Sequence, residues 1–80
     1  MKTRVLLFST LRERLQKSEM ELEIPEGTSV QAVLELLLGR EGAAPWENSI
    51  LFAINQNYCG PQTRLGDGDE LILMPPVSGG

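Results

Sequence analysis

Glu19-Met20-Glu21-Leu22-Glu23-Ile24-Pro25-Glu26-Gly27-Thr28-Ser29-Val30-Gln31-Ala32-Val33-Leu34-Glu35-Leu36-Leu37-Leu38-Gly39 carries two hydrophobic periods, one on each side of a turn. Residues 19–24 alternate polar and apolar without a break. That is the period of a half-buried strand, with Met20, Leu22 and Ile24 inward. The three glutamates read as its solvated face, because side chains along one strand face do not converge on a metal by themselves. Pro25-Glu26-Gly27 is a turn. Thr28 reads as a helix cap, with Gln31 at the capping-box position. Val30, Val33, Leu34, Leu37 and Leu38 then recur at i, i+3, i+4, i+7 and i+8, which predicts an amphipathic helix over 29–39 with Gly39 as its natural stop. The leucine stripe is core.

On the N-terminal side of this unit, Thr3 to Phe8 is β-rich and reads as a buried first strand. Thr10-Leu11-Arg12-Glu13 has the form of a capping box, opening a short helix that ends near Lys17, with Leu11 and Leu15 on one side. On the C-terminal side, Arg40 to Ser49 reads as a loop in which Trp46 covers part of the core. Ile50 to Ile54 is a continuous apolar run, hence a buried central strand. Asn55-Gln56-Asn57 turns the chain and Tyr58-Cys59 forms a short strand. Leu65 to Glu70 is a glycine-assisted turn whose acids lack the ligand spacing of a calcium loop. Leu71 to Met74 is the last strand.

The order predicts an α+β fold: a mixed sheet of four or five strands with one main helix on one face. Parallel pairing of the first and last strands would bury Val5 to Phe8 beside Leu71 to Met74. That is the outline of a β-grasp, or ubiquitin-like, fold. The expected core is Val5, Leu7, Leu22, Ile24, Val30, Val33, Leu34, Leu37, Leu51, Ala53, Leu65 and Ile72.

Eighty residues make one small domain. Eleven acidic residues stand against seven basic ones, a net charge of −4, which argues against nucleic acid and anionic membrane as partners. Histidine is absent, so the commonest general base and metal ligand is missing. The single cysteine, Cys59, excludes an internal disulfide and a cysteine-cluster metal site, and fits a reducing, cytoplasmic setting. No histidine stands anywhere to activate it, so it reads as a small hydrophobe. No signal peptide or membrane span is read at the N-terminus.

After Met74 the chain continues Pro75-Pro76-Val77-Ser78-Gly79-Gly80. We read residues 1–74 as the domain and 75–80 as a flexible tail. The prolines favour an extended path, and six residues reach at most about 20 Å. Gly79-Gly80 has no side chains and can enter a slot too narrow for other residues, offering only the carboxylate of Gly80. A frayed terminus is the alternative. Phe8, Tyr58 and Met74 lie at strand ends or in a short strand near the tail, and are expected to form an exposed patch beside its base. No metal ligands and no permanently bound cofactor are assigned.

The sequence resembles the MoaD-type sulfur carriers, the small subunits of molybdopterin synthase, over its full length. The pieces are Val5-Leu6-Leu7-Phe8 followed by Leu11-Arg12-Glu13, then Ala53-Ile54-Asn55-Gln56, then Asp67-Gly68-Asp69-Glu70, and finally Pro75-Pro76-Val77-Ser78-Gly79-Gly80. One departure is Met74, where relatives often carry an aromatic residue. The resemblance implies that an E1-like adenylating enzyme uses ATP to convert the carboxylate of Gly80 into a transient acyl adenylate. A sulfur donor protein then leaves a thiocarboxylate there. The tail, Pro75, Pro76, Val77 and Ser78 with Gly79 and Gly80, enters the large subunit of a heterotetramer of two small and two large subunits. There it gives sulfur to cyclic pyranopterin monophosphate for molybdenum cofactor biosynthesis. In this reading the chain is a co-substrate, and catalysis belongs to the complex. A sulfur carrier for thiamine thiazole synthesis, a ubiquitin-like protein modifier and a plain interaction module remain alternatives.

Overall fold

The computed structural model describes residues 1–46 and 49–75. The chain runs β1 (Lys2–Leu7), α1 (Ser9–Leu15), β2 (Glu19–Glu23), α2 (Val30–Ala43), a 3-10 turn (Ala44–Trp46), β3 (Leu51–Ile54), β4 (Asn57–Cys59) and β5 (Glu70–Met74). The five strands form one sheet in the order β2-β1-β5-β3-β4. β1 and β5 pair in parallel at its centre, with Val5 opposite Leu71 and Leu7 opposite Leu73. The other three pairings are antiparallel. This is the expected α+β architecture, with the first and last strands as central neighbours.

One face of the sheet is covered by α2 and carries the core. Val5, Leu7, Leu71, Leu73 and Phe52 are buried there with Val30, Val33 and Leu34 of α2, and with Leu11, Ile24, Ile50 and Leu65. Trp46 is half-buried against this cluster, as the sequence reading expects. Met20 and Leu22 sit partly buried at the edge of the same cluster.

The core list needs correction at four positions. Leu51 is 54% exposed, and Leu22, Leu37 and Ile72 are only partly buried. Leu22 and Leu37 still pack against the core from its margin. For Leu51 and Ile72 the cause is strand phase. Parallel register with β1 places Leu71 and Leu73 inward and turns Ile72 out beside Leu6. β3 follows suit, with Phe52 opposite Leu73 and Leu51 opposite Met74. Ala53 is buried as expected, but on the outer face, in register between Ile72 and Tyr58.

Both capping boxes also shift. Ser29, not Thr28, caps α2 by accepting the Ala32 N–H at 3.1 Å. The Thr28 hydroxyl is already committed, donating to the Pro25 carbonyl at 2.6 Å within the turn. The N–H groups of Val30 and Gln31 donate to the carbonyls of Thr63 and Pro61, so the first turn of α2 is tied to the 61–65 segment. The Gln31 amide is turned along the helix and donates to Glu35 at 3.4 Å instead of reaching back. α1 begins at Ser9 with Phe8 in the cap position and no side-chain cap, so Thr10 lies inside the first turn. It ends at Leu15 because Gln16 adopts a left-handed conformation. Gly39 does interrupt α2, at φ 77° and ψ 162°, but helix resumes after it and runs to Ala43.

Candidate docking face

Among the described residues no helix crosses the face of the sheet away from α2, and strand parity decides what it shows. Arg4 and Glu70 are charged and pair across β1 and β5, so Leu6 with Ile72, two residues on, share their side. Phe8 is still extended at φ −125° and ψ 158°, keeps the parity of Leu6, and is 46% exposed. Met74 lies two residues beyond Ile72 and is half-buried, opposite the exposed Leu51. Tyr58 stands on the edge strand β4 opposite Ala53 and is 75% exposed. The structure thus places Phe8, Tyr58 and Met74 on one face and adds three neighbours that the sequence reading put in the core or did not assign: Leu6, Leu51 and Ile72. For Leu6 and Ile72 the signal was the parity of Arg4 and Glu70, which fixes both runs; Leu51 had none.

The parallel β1/β5 pair gives this face a direction. Both strands end on the same side, where Phe8 follows β1 and Pro75 follows β5. Pro75 is buried. It is the first residue of the expected tail and the last one described. Pro76, Val77, Ser78, Gly79 and Gly80 lie outside the described residues. The end of the face away from the tail is charged. Arg4 is 3.8 Å from both Glu19 and Glu70, and Lys2 is 4.0 Å from Glu21. These pairs are exposed and contribute little stability.

Behind the charged end, the 66–70 turn is fixed by its own acids. The Asp69 carboxylate accepts the Gly66 N–H at 2.7 Å and the Asn55 amide at 3.0 Å. Asp67 accepts the Lys2 N–H at 3.0 Å, and Gly68 takes φ 83°. These acids therefore serve the turn. Among the described residues no group of acids, cysteine or histidine is placed to hold a metal ion. Cys59 is a free, half-buried thiol on β4. No described helix is long and apolar enough to cross a membrane.

A sheet closed by its own first and last strands in parallel, crossed by one main helix, defines the β-grasp, ubiquitin-like class. Within that class the chain belongs to the ThiS family, whose pattern it matches over residues 5–80. A molybdopterin synthase sulfur carrier subunit from Chlamydomonas reinhardtii is 35% identical over the whole of both chains. The solution structure of small archaeal modifier protein 1 from Methanosarcina acetivorans is 33% identical with a TM-score of 0.73, covering 99% of this chain and 96% of that one. A complex of subunits 1 and 2 of the molybdopterin-converting factor from Helicobacter pylori contains a chain 25% identical with a TM-score of 0.63, with all of both chains covered.

Proposed function

We propose that this chain is the sulfur-carrier subunit of a molybdopterin synthase. The observation that carries the reading is the meeting, at one end of the sheet, of an uncovered apolar face and the start of the Gly-Gly tail. Membership of the ThiS family and the curated relatives support it. The face docks on the large subunit through Phe8, Tyr58 and Met74, with Leu6, Leu51 and Ile72. Pro75 fixes the starting point, and Pro76 to Ser78 span the distance to the reacting centre.

The chemistry is an exchange of leaving groups on one acyl carbon. A carboxylate is a poor electrophile. Its oxygen attacks the α-phosphorus of ATP on an E1-like enzyme, and pyrophosphate leaves. Sulfide-level sulfur from a separate donor attacks the acyl carbon, and AMP departs with the bonding electron pair. The thiocarboxylate formed on Gly80 is acidic and soft, so it is ionised and nucleophilic at neutral pH, by the logic that governs thiolates. In the large subunit its sulfur displaces an oxygen substituent on a carbon of the cyclic pyranopterin monophosphate to form a thioester. Water then cleaves the acyl–sulfur bond, so that sulfur stays on the pterin and Gly80 returns to a carboxylate. Two small and two large subunits form the working complex, in the cytoplasm. This chain holds no catalytic side chain of its own; Gly79 leaves the approach to Gly80 bare.

The likeness to a small archaeal modifier protein favours a second use of the same activated carboxyl. A lysine amine in place of the sulfur nucleophile would give an isopeptide bond.

Deletion of Gly80 tests the carrier reading. It moves the carboxylate back by about 3.5 Å from a centre that requires near-attack geometry. The expected outcome is loss of ATP–pyrophosphate exchange with the activating enzyme and loss of sulfur delivery, with an unchanged thermal melt. Exchange at the normal rate would sink the reading in favour of a plain interaction module. Mass spectrometry of the native chain distinguishes a thiocarboxylate from a lysine conjugate.

A further inference from the structure

The uncovered face of the sheet changes character along its strands. β1 presents Lys2, then Arg4, then Leu6, while β5 presents Glu70, then Ile72, then Met74. Because Arg4 pairs with Glu70 and Leu6 with Ile72, the two changes coincide and run toward the tail. β2 borders the face with Glu23, Glu21 and Glu19, opposite Lys2, Arg4 and Leu6. The other border, β3 and β4, adds Leu51, Ala53 and Tyr58. Both cations are already held by Glu19, Glu21 and Glu70, and Glu23 has no ion-pair partner among the described residues. The face is therefore apolar on the tail side and acidic along β2.

Charge of either sign keeps an edge strand from pairing with another chain. Pairing with Lys2 and Arg4 accounts for the sign of Glu21 and Glu19. Neither that nor edge protection explains the third acid, Glu23, or why the acids border the face that carries the apolar patch.

We infer that this graded face sets the orientation of docking. It fits a protein surface on which an apolar patch is bordered by a strip of lysine and arginine. The strip lies over β2 and the patch over β3 and β5, and the tail then leaves β5 toward the partner's pocket. In the reversed orientation the glutamates, Glu23 without an ion-pair partner among the described residues and the other two in exposed pairs, would press on apolar surface and lose their hydration, which costs free energy. Exposed charges of this kind act before contact and govern the association rate, whereas the apolar patch governs dissociation. The inference rests on the docking reading above and names the chemistry of the partner's surface.

The test is stopped-flow association of the E19Q/E21Q/E23Q variant with the cognate large subunit of molybdopterin synthase, from low to physiological salt, with Leu51→Ser as companion. All four side chains are exposed or edge-strand groups whose replacement spares the core. The glutamine variant is expected to associate about tenfold more slowly at low salt, with a flatter salt dependence. Its dissociation rate and thermal melt stay at wild-type values, and Leu51→Ser dissociates faster. Unchanged association and salt dependence in the glutamine variant, with faster dissociation for Leu51→Ser, overturns the inference and leaves the docking reading standing. Faster dissociation of the glutamine variant without slower association also overturns it, since the glutamates would then be ordinary contacts. No effect from Leu51→Ser removes the docking reading, and the inference with it.

Discussion

Among the described residues Thr3 is the one buried polar side chain, 1% exposed on β1, and its hydroxyl has no hydrogen-bond partner there. An unmade hydrogen bond in an apolar setting costs its full desolvation, typically 1–3 kcal/mol. Valine has nearly the same shape without that cost. Thr3→Val is therefore expected to raise stability by about 1 kcal/mol in chemical denaturation, with no effect on partner binding, because the residue faces α2 rather than the uncovered face. A loss of stability would show that the hydroxyl is satisfied in solution. Residue-scale features of this kind were not legible in the sequence. Thr3 reads as an ordinary β-former, and only the register with β2, which sets it opposite Leu22, reveals where its side chain ends up.

Elements were legible where one face is polar and the other is not. β2 and α2 announce themselves by period, and each was placed within a few residues. The caps were not: α1 starts without a side-chain cap, and at α2 two hydroxyls compete and the winner depends on the turn before it. At α2, Thr28 is drawn back to Pro25 and leaves the cap to Ser29. Ser29→Ala should accordingly cost about 1 kcal/mol of stability, as cap removals do. Thr28→Ala should cost roughly half of that or less, since its exposed bond closes only a local turn. Thermal melts of the two variants decide the cap, and a larger loss for Thr28→Ala would return it to Thr28. Continuous apolar runs hid their phase for a related reason. Leu71-Ile72-Leu73-Met74 and Leu51-Phe52-Ala53 offer no polar residue inside the run, so the inward set had to come from neighbours. For the last strand, Glu70, one step outside and paired with Arg4, held the information.

At the scale of the whole molecule, the fold follows from where the longest-range pairing falls. Arg4 and Glu70 are partners across nearly the full chain, and Leu73 lies between Leu7 and Phe52 at the centre of the sheet. Leu73→Ala is expected to cost about 2–5 kcal/mol, the range for a buried leucine, and Ile72→Ala clearly less. Equal losses in denaturant titrations would mean that the last strand has the other phase. The architecture was legible from element order alone. Much of the candidate site was legible too: Phe8, Tyr58 and Met74 could be named because aromatic and apolar residues at strand ends have little core to enter. Leu51 could not, because only the assembled sheet shows that its side chain is left outside.

The parallel pairing of β1 and β5 also decides how the molecule answers to force. A pull on the chain beyond Pro75, resisted at the N-terminal side of β1, draws the two strands along one another. All the bonds between them are then loaded together, as in a lap joint, instead of being opened one after another like a zipper. A chain gripped by its tail in a narrow partner site can be withdrawn from that site without its sheet being peeled apart, and is fit to be used again.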